Sequence, residues 1–269
     1  MGITNSFRRV EIYTNPTFVQ DNCDTFDVVP GKLGDKWLVS CLGVLYLSKG
    51  LFYRVVPADQ RMDTPYAGVF RFRLWWCGQW LEVLVDDRLP TVNGKLAFLQ
   101  TSHTGQLWPA LLEKAYAKLH GSYEALKYGS LLDGLADLTG GITESAVPGA
   151  ETTDAASLAN LLTTTSVVTA HHFPAVIEEK IKGLELEMNY RIYNIEKVRY
   201  LLSSLKFFNT FGTTKLHHAP DILQGSFTLH EISRVKSKKQ WSGNERFFRY
   251  PRKACCWNKL TNISGLTQL

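Results

Sequence analysis

The sequence predicts a mixed α/β fold, with helices and a β-hairpin in the first half and mainly β structure in the second. Apolar residues recur every three or four positions over residues 37–45, which predicts a buried helix. Residues 66–85 alternate in polarity on either side of Cys77-Gly78, a pattern typical of a hairpin. Two later segments, 189–195 and 201–208, are rich in tyrosine, isoleucine, leucine and phenylalanine and predict strands.

Further helices are indicated by capping residues and helix formers. Asp35 stands where a good N-cap for the first helix is expected. Residues 108–119 place a proline in the first turn and continue with strong helix formers, which predicts a second long helix. The segment 158–165 predicts a shorter one.

Length and composition are those of a globular protein with two parts. The 269 residues are enough for two domains of ordinary size, and 45% of them are hydrophobic and 20% charged. Glycines and serines interrupt the periodicity over residues 121–141. We therefore expect a hinge in this stretch, which divides the chain into residues 1–129 and 130–269.

Charge and cysteine content exclude several classes of function. The net charge of +5 is too low for a dedicated nucleic-acid binder, and the basic run at 234–239 is expected to be a solvated loop. The five cysteines are odd in number and form no CxxC pair, so neither a disulfide framework nor a zinc site is expected. No secretory signal opens the sequence, and we expect a cytoplasmic location.

The first six residues, MGITNS, fit the loose pattern for N-myristoylation of Gly2. Arg8 and Arg9 would add attraction to anionic lipid, although one acyl chain anchors a protein only marginally. Because the pattern fixes few positions, an unmodified N-terminus stays the alternative. Membrane association is therefore expected only if Gly2 is acylated.

The segment GKLGDKWL, residues 31–38, places Lys36 at the start of the predicted helix. The first turn of a helix has unpaired N–H groups and the positive end of the macrodipole, which disfavour a cation. The same position lowers the pKa of a cysteine thiol and makes it nucleophilic. The segment therefore has the form of a nucleophile-bearing helix start without its nucleophile.

Seven motifs follow one another between residues 31 and 141. In chain order, they are GKLGDKWL (31–38), RVVPADQ (54–60), YAGVF (66–70), VLVDDRLP (83–90), LLEKAYAK (111–118), GSYEAL (121–126) and LTGG (138–141). The series resembles the protease core of calpains, intracellular calcium-dependent cysteine proteases of the papain-like kind. The resemblance implies a two-lobe fold with an active-site cleft between a mainly helical first lobe and a mainly β second lobe. In the family, a cysteine and an oxyanion-stabilising glutamine stand where this sequence has Lys36 and Pro30.

The second lobe resembles the family more thinly. The segment GLELEMNYRIYNIEKV, residues 183–198, is similar to the family segment that carries the catalytic histidine, and Met188 takes the histidine position. The segment NTFG, residues 209–212, resembles the family's Asn-Pro-Trp-Gly, so Asn209 is kept and Phe211 replaces the tryptophan. A thioether cannot shuttle a proton, which rules out general-base catalysis from Met188. Without an imidazole to orient, Asn209 is expected to be structural.

Two pairs of adjacent histidines are candidates to replace the missing imidazole. The pairs are His171-His172 and His217-His218. Adjacent residues of a strand point to opposite faces, so neither pair is a chelate by itself. We expect these histidines on the surface or in loops.

The resemblance also implies calcium sites in both lobes, and here they look degraded. Asp27 matches one carboxylate ligand of the first lobe, but Gln106 stands where a glutamate is expected. In the second lobe, Lys215 takes a glutamate position and Asp221 is the nearest acid. Calcium needs several anionic oxygens. We therefore expect no cofactor, with at most a weak remnant calcium site at Asp27.

The resulting hypothesis is a calpain-like pseudoprotease that binds a protein or peptide in the cleft, with Lys36 either hydrated or paired with a bound carboxylate or carbonyl. An active relative or the cytoskeleton is the expected kind of partner. The alternative is a working calcium-dependent cysteine endopeptidase that uses an unrecognised base and nucleophile. A gene remnant without selected function also stays open.

Overall fold

The computed structural model describes the chain in segments, with most of the first half included. These segments are residues 5–8, 12–20, 26–62, 66–102, 105–146, 155–165, 167–171, 189–198, 201–209, 216–219 and 231–236. Of the residues discussed above, Gly2, Arg9, His172, Met188, Phe211, Lys215 and Asp221 lie outside them.

The helices confirm the three helical predictions within a few residues. They are α1 (Lys36–Leu47), α2 (Lys49–Val55), α3 (Trp108–His120), α4 (Leu131–Thr139) and α5 (Ala155–Thr164), with a 3-10 helix at Glu124–Tyr128. All residues of α1 from Leu38 to Tyr46 are buried, as expected for a helix that is apolar around most of its circumference.

The strands confirm the predicted hairpin and the β-rich second half. They are β1 (Asn5–Arg8), β2 (Val28–Val29), β3 (Val69–Trp76), β4 (Gln79–Asp86), β5 (Arg88–Val92), β6 (Lys95–Leu96), β7 (Gln100–Thr101), β8 (Ile142–Ala146), β9 (Val167–His171), β10 (Asn189–Val198), β11 (Leu201–Asn209), β12 (Leu216–Ala219) and β13 (Glu231–Lys236). Strands β3 and β4 form an antiparallel hairpin around Cys77 and Gly78, which both have positive φ. The second half forms an antiparallel sheet in the order β12-β11-β10-β9-β13-β8.

Part of the basic run at 234–239 lies in a strand, not in the solvated loop that the sequence predicts. Arg234, Val235 and Lys236 belong to β13, which pairs with β8 on one side and β9 on the other. The expectation of a loop was therefore wrong for this part of the run, because Ile232 and Val235 favour a strand that two neighbours can enclose. Residues 237–239 lie outside the described residues.

The core of the first half centres on aromatic side chains between α1, α2 and α3. The Trp108 ring stacks on Tyr46 at a centroid distance of 5.8 Å and meets the edge of Phe52 at 5.0 Å. All three rings are buried. Such rings contribute large apolar areas and hold the three helices in one fixed arrangement.

Two glycines of the stretch at 121–141 lie against α1, and the hinge expected in this stretch stays a prediction. A Cβ on Gly129 would lie 2.0 Å from the Trp37 ring, and one on Gly134 would lie 2.6 Å from the Cys41 sulfur. These glycines therefore serve close approach to α1. Because Leu135 and Leu138 of α4 join the core of the first half, that core continues past residue 130. The division at this point stays a prediction.

Within the described segments, no single helix is long and apolar enough to cross a membrane. Helices α1 and α2 together have sufficient length and apolar composition, but they are bent by 117° at the break between them. Both contribute buried side chains to the core.

Candidate functional site

The loop before α1 is fixed by close backbone contacts. A Cβ on Gly31 would lie 2.3 Å from the Phe98 backbone, and the Lys32 N–H donates to the Ala97 carbonyl at 3.1 Å. Gly34 has a φ of +80°, which favours glycine. Pro30, half-buried, directly follows β2. The oxyanion-position proline therefore begins a tightly held turn into α1.

Lys36 begins α1 with its side chain exposed. It forms no ion pair with another residue that the structure describes. The next residue, Trp37, is anchored by a 2.8 Å hydrogen bond from its indole N–H to the Leu126 carbonyl. The amine is thus presented outward from a rigid helix start.

Asp35 does not cap α1 with its side chain, contrary to the sequence analysis. Its backbone carbonyl accepts the Leu38 and Val39 N–H groups, but its carboxyl group makes no capping hydrogen bond. The side chain is fully buried and interacts with the buried Glu113 of α3. Contact with α3 has replaced the local cap, which a propensity rule cannot anticipate.

A hydrogen-bonded chain joins the two halves directly below Lys36. The Asn189 amide donates to the Ser40 hydroxyl at 3.0 Å, and that hydroxyl donates to the Lys36 carbonyl at 3.1 Å. Ser40 is fully buried and Asn189 is 9% exposed. The start of β10 therefore lies against the first turn of the helix that carries Lys36.

The register of the second sheet brings the start of β10 and the end of β11 together. Asn209 pairs with Tyr190, one residue along the chain from Asn189. Met188, the residue before Asn189, lies outside the described residues. The backbone thus brings Lys36, the start of β10 and Asn209 into one region. Their equivalence to the triad positions stays a prediction.

The described histidines of the two pairs lie in strands rather than in loops, and their expected place on the surface stays a prediction. His171 ends β9 and pairs with Asn189 of β10 and Glu231 of β13. His217 and His218 lie in β12 and pair with β11.

The described cysteines do not replace the missing nucleophile. Cys41 lies within α1 with 0% exposure, and its sulfur contacts the Leu131 carbonyl at 3.5 Å. Burial raises the pKa of its thiol well above the usual value, and the nearby Asp137 and Asp133 raise it further. Cys77 is exposed at the turn between β3 and β4. A buried neutral thiol is a poor nucleophile.

The described residues around Asp27 do not fit a calcium ion. Asp27 is a buried carboxylate whose backbone carbonyl accepts the Ser102 N–H at 3.0 Å. Gln106 is neutral, and its side-chain oxygen already accepts the Gln20 N–H at 3.0 Å. Within the segments described, no group of three or more histidine, cysteine, aspartate or glutamate side chains is suited to a metal.

The mixed helices and antiparallel sheets are those of a papain-like protease domain. Residues 5–219 match the family model described as calpain family cysteine protease. The chain therefore belongs to the calpain family.

Curated calpains show the same similarity. Calpain-C of Drosophila melanogaster is 52% identical over 238 residues, 82% of this chain and 34% of the relative. Calpain-A of Drosophila melanogaster is 50% identical over 134 residues, 50% of this chain and 16% of the relative. Calpain-8 of Mus musculus is 50% identical over 137 residues, 51% of this chain and 20% of the relative. The chain thus spans about a third of Calpain-C, and its matches cover a fifth or less of the other two.

Sequence reasoning missed three residues that shape this site, namely Ser40, Glu113 and Asn189. Ser40 and Glu113 are polar residues inside otherwise apolar helical stretches, and that interruption was the available signal. The partner of Asn189 is 149 residues away in the chain, and no local pattern reveals it.

Proposed function

We propose that this chain is a calpain core that has lost hydrolysis and binds an extended protein or peptide segment in the cleft between its halves. The observation that carries the proposal is the exposed amine of Lys36 at the nucleophile position of an otherwise ordered helix start. The triad-equivalent set is then Lys36, Met188 and Asn209, with Pro30 at the oxyanion position.

Loss of hydrolysis follows from the chemistry of these side chains. Cysteine-protease chemistry needs a thiolate, a base that accepts and returns a proton, and donors for the oxyanion. Lys36 is no thiol, Met188 has no titratable proton, and Pro30 offers neither a side-chain donor nor an N–H. Three separate requirements fail together, so a single reversion is not expected to restore activity.

Binding does not need the lost groups. An extended peptide is recognised by backbone hydrogen bonds and side-chain pockets, which do not depend on the nucleophile. The Lys36 amine and the N–H groups at the start of α1 both favour a carboxylate or carbonyl oxygen. The contact between Asn189 and Ser40 supports a fixed relation between the halves at this point.

The partner of this binding follows as part of the same proposal. An active calpain relative or a cytoskeletal protein would supply the bound segment in the cytoplasm. Attachment to a membrane would require acylation of Gly2, for which the MGITNS start is the supporting pattern.

The test measures binding of fluorescein-labelled casein, an unfolded acidic substrate analogue, by fluorescence anisotropy. Lys36→Glu is expected to weaken binding about fivefold, or about 1 kcal/mol, because it reverses the charge at the helix start. Lys95→Glu, at an exposed lysine of β6, is the matched control and is expected to leave binding unchanged. The casein should also keep its intact mass. Equal effects of the two variants, or fragments in the mixture, would contradict the proposal.

A further inference from the structure

Two buried carboxyl groups meet beneath the start of α1. Asp35 directly precedes the helix and is 0% exposed, and Glu113 of α3 is 1% exposed. The two carboxyl groups interact side chain to side chain. One Glu113 oxygen, Oε2, accepts the Leu99 N–H at 3.0 Å. The pair therefore connects α1, α3 and the segment at Leu99.

The other carboxyl oxygens of this pair lack donors. Both oxygens of Asp35 and Oε1 of Glu113 are buried without a hydrogen-bond partner among the described residues. Neither group forms an ion pair with a lysine, arginine or histidine in the part of the chain described. Buried carboxylates are costly unless they are paired or hydrogen-bonded. A proton on one group would let it donate to the other.

The space on the Glu113 side of the pair is narrow and mostly apolar. The gap beside Glu113 is lined by apolar side chains that include Leu89, Leu96 and Leu99, and it is too narrow for a water molecule. Tyr123 also borders this region, and its hydroxyl has no hydrogen-bond partner among the residues that the structure describes. Of the nearby lysines, Lys36 is exposed and Lys114 binds Asp86. The gap beside Glu113 therefore has no room for a hydrated cation.

Electrostatics favours the protonated form of the pair. Burial raises the pKa of Glu113 well above its usual range, and the charge of Asp35 raises it further. Burial also raises the pKa of Asp35. The pKa of Tyr123 is raised by burial and by the charge of Glu113, so its phenol stays neutral. Two adjacent buried carboxyl groups cannot both ionise readily.

We propose that Asp35 and Glu113 form a proton-binding site that holds one shared proton in the folded protein and thereby ties the start of α1 to α3. Loss of this proton leaves two like charges facing each other directly behind Lys36. The helix start is then loosened at alkaline pH. This proton site is independent of whatever occupies the cleft.

The sign of the pH dependence follows from proton linkage. A carboxyl whose pKa is higher in the folded state than in the unfolded state binds more protons when folded. Its contribution to stability is complete below the ordinary carboxyl pKa and is lost as the pH rises to the raised pKa of the pair. The folded protein should therefore become less stable across this window.

The first test compares thermal unfolding from about pH 5 to about pH 9 for the unmodified chain and two variants. Glu113→Gln keeps an oxygen for the Leu99 N–H and donates permanently to Asp35. We expect the midpoint of the unmodified chain to fall by several degrees more than that of Glu113→Gln. Glu124→Gln, at an exposed glutamate of the 3-10 helix, should follow the unmodified chain. Parallel profiles for all three proteins would overturn the proposal.

The second test detects the proton directly by infrared spectroscopy at neutral pH. The unmodified chain should show the carbonyl band of a protonated carboxyl. The band should disappear in Glu113→Gln, whose amide replaces the proton donor, and it should shift in Asp35→Asn, where Glu113 stays buried but loses its partner carboxyl. Should both variants fail to fold, the band of the unmodified chain and its loss on raising the pH still decide the question. Absence of that band at neutral pH would overturn the proposal.

Discussion

The exposed side and the core side of the first turn of α1 are constrained in different ways. The exposed side carries Lys36, and Lys36 and Pro30 stand where the calpain resemblance implies a cysteine and a glutamine. The surface toward the core carries Trp37, against which Gly129 and Gly134 pack without space for a Cβ. In the family, catalysis constrains the chemical groups on the exposed side, whereas packing constrains the shape of the side chains on the core side. The catalytic groups can therefore be replaced while the packing of the core side still maintains the fold.

The largest effect on stability should come from a core residue, Trp108 of α3. Trp108→Ala removes a ring with 1% exposure that packs on Tyr46 and Phe52, and we expect a loss of about 3–5 kcal/mol in the free energy of unfolding. Chemical denaturation measures it. Tyr128→Ala, at an aromatic residue with 84% exposure, is the control and should stay within about 0.5 kcal/mol. Equal losses would break the contrast between core and surface.

Adding one methyl group at Gly129 tests the close contact between this glycine and the Trp37 ring. Gly129→Ala places a Cβ in the Trp37 ring, and we expect a loss of about 1–3 kcal/mol in the free energy of unfolding. Gly50→Ala is the matched control, because nothing lies within 4 Å of its added Cβ and α2 favours alanine. A tolerated Gly129→Ala would mean that shape does not constrain this contact.

The hydrogen bond between the halves is open to a double-mutant cycle. Ser40→Ala, Asn189→Ala and the double variant should give a coupling energy of about 1 kcal/mol in the free energy of unfolding, because the two groups are buried and hydrogen-bonded at 3.0 Å. Denaturant unfolding of the four proteins provides the values. Strictly additive losses would show that the contact does not link the halves energetically.

The smallest effect on stability should come from Lys36. Because its side chain is exposed and forms no ion pair with a described residue, Lys36→Ala should change the free energy of unfolding by less than about 0.5 kcal/mol. Casein binding measured in parallel should weaken. A large loss of stability would make Lys36 structural and remove its proposed role in the cleft.

Much of the fold was predictable from local patterns. The periodicity of α1, the proline at the start of α3 and the alternation of β3 and β4 report side-chain burial, which is a local consequence of the fold. The glycine-rich stretch was ambiguous, because glycine serves both hinges and close packing. The position of Trp37 against Gly129 and Gly134 shows close packing at those two glycines.

The site was predictable only as far as the resemblance reached. Lys36, Pro30 and Asn209 were placed by motif, and the backbone brings Lys36 and Asn209 into one region through Asn189 and Tyr190. The acid pair was not predicted, because an N-cap rule assigns Asp35 to its own helix. Its actual neighbour, Glu113, lies far along the chain and is brought near by packing.

Hydrolysis tests the central claim most directly. The unmodified chain and a Pro30→Gln, Lys36→Cys, Met188→His triple variant are incubated with casein, with and without calcium, and the fragments are quantified by mass spectrometry. The account predicts no cleavage by the unmodified chain and thiol-dependent cleavage by the triple variant. Cleavage by the unmodified chain that a thiol-directed inhibitor abolishes would contradict it.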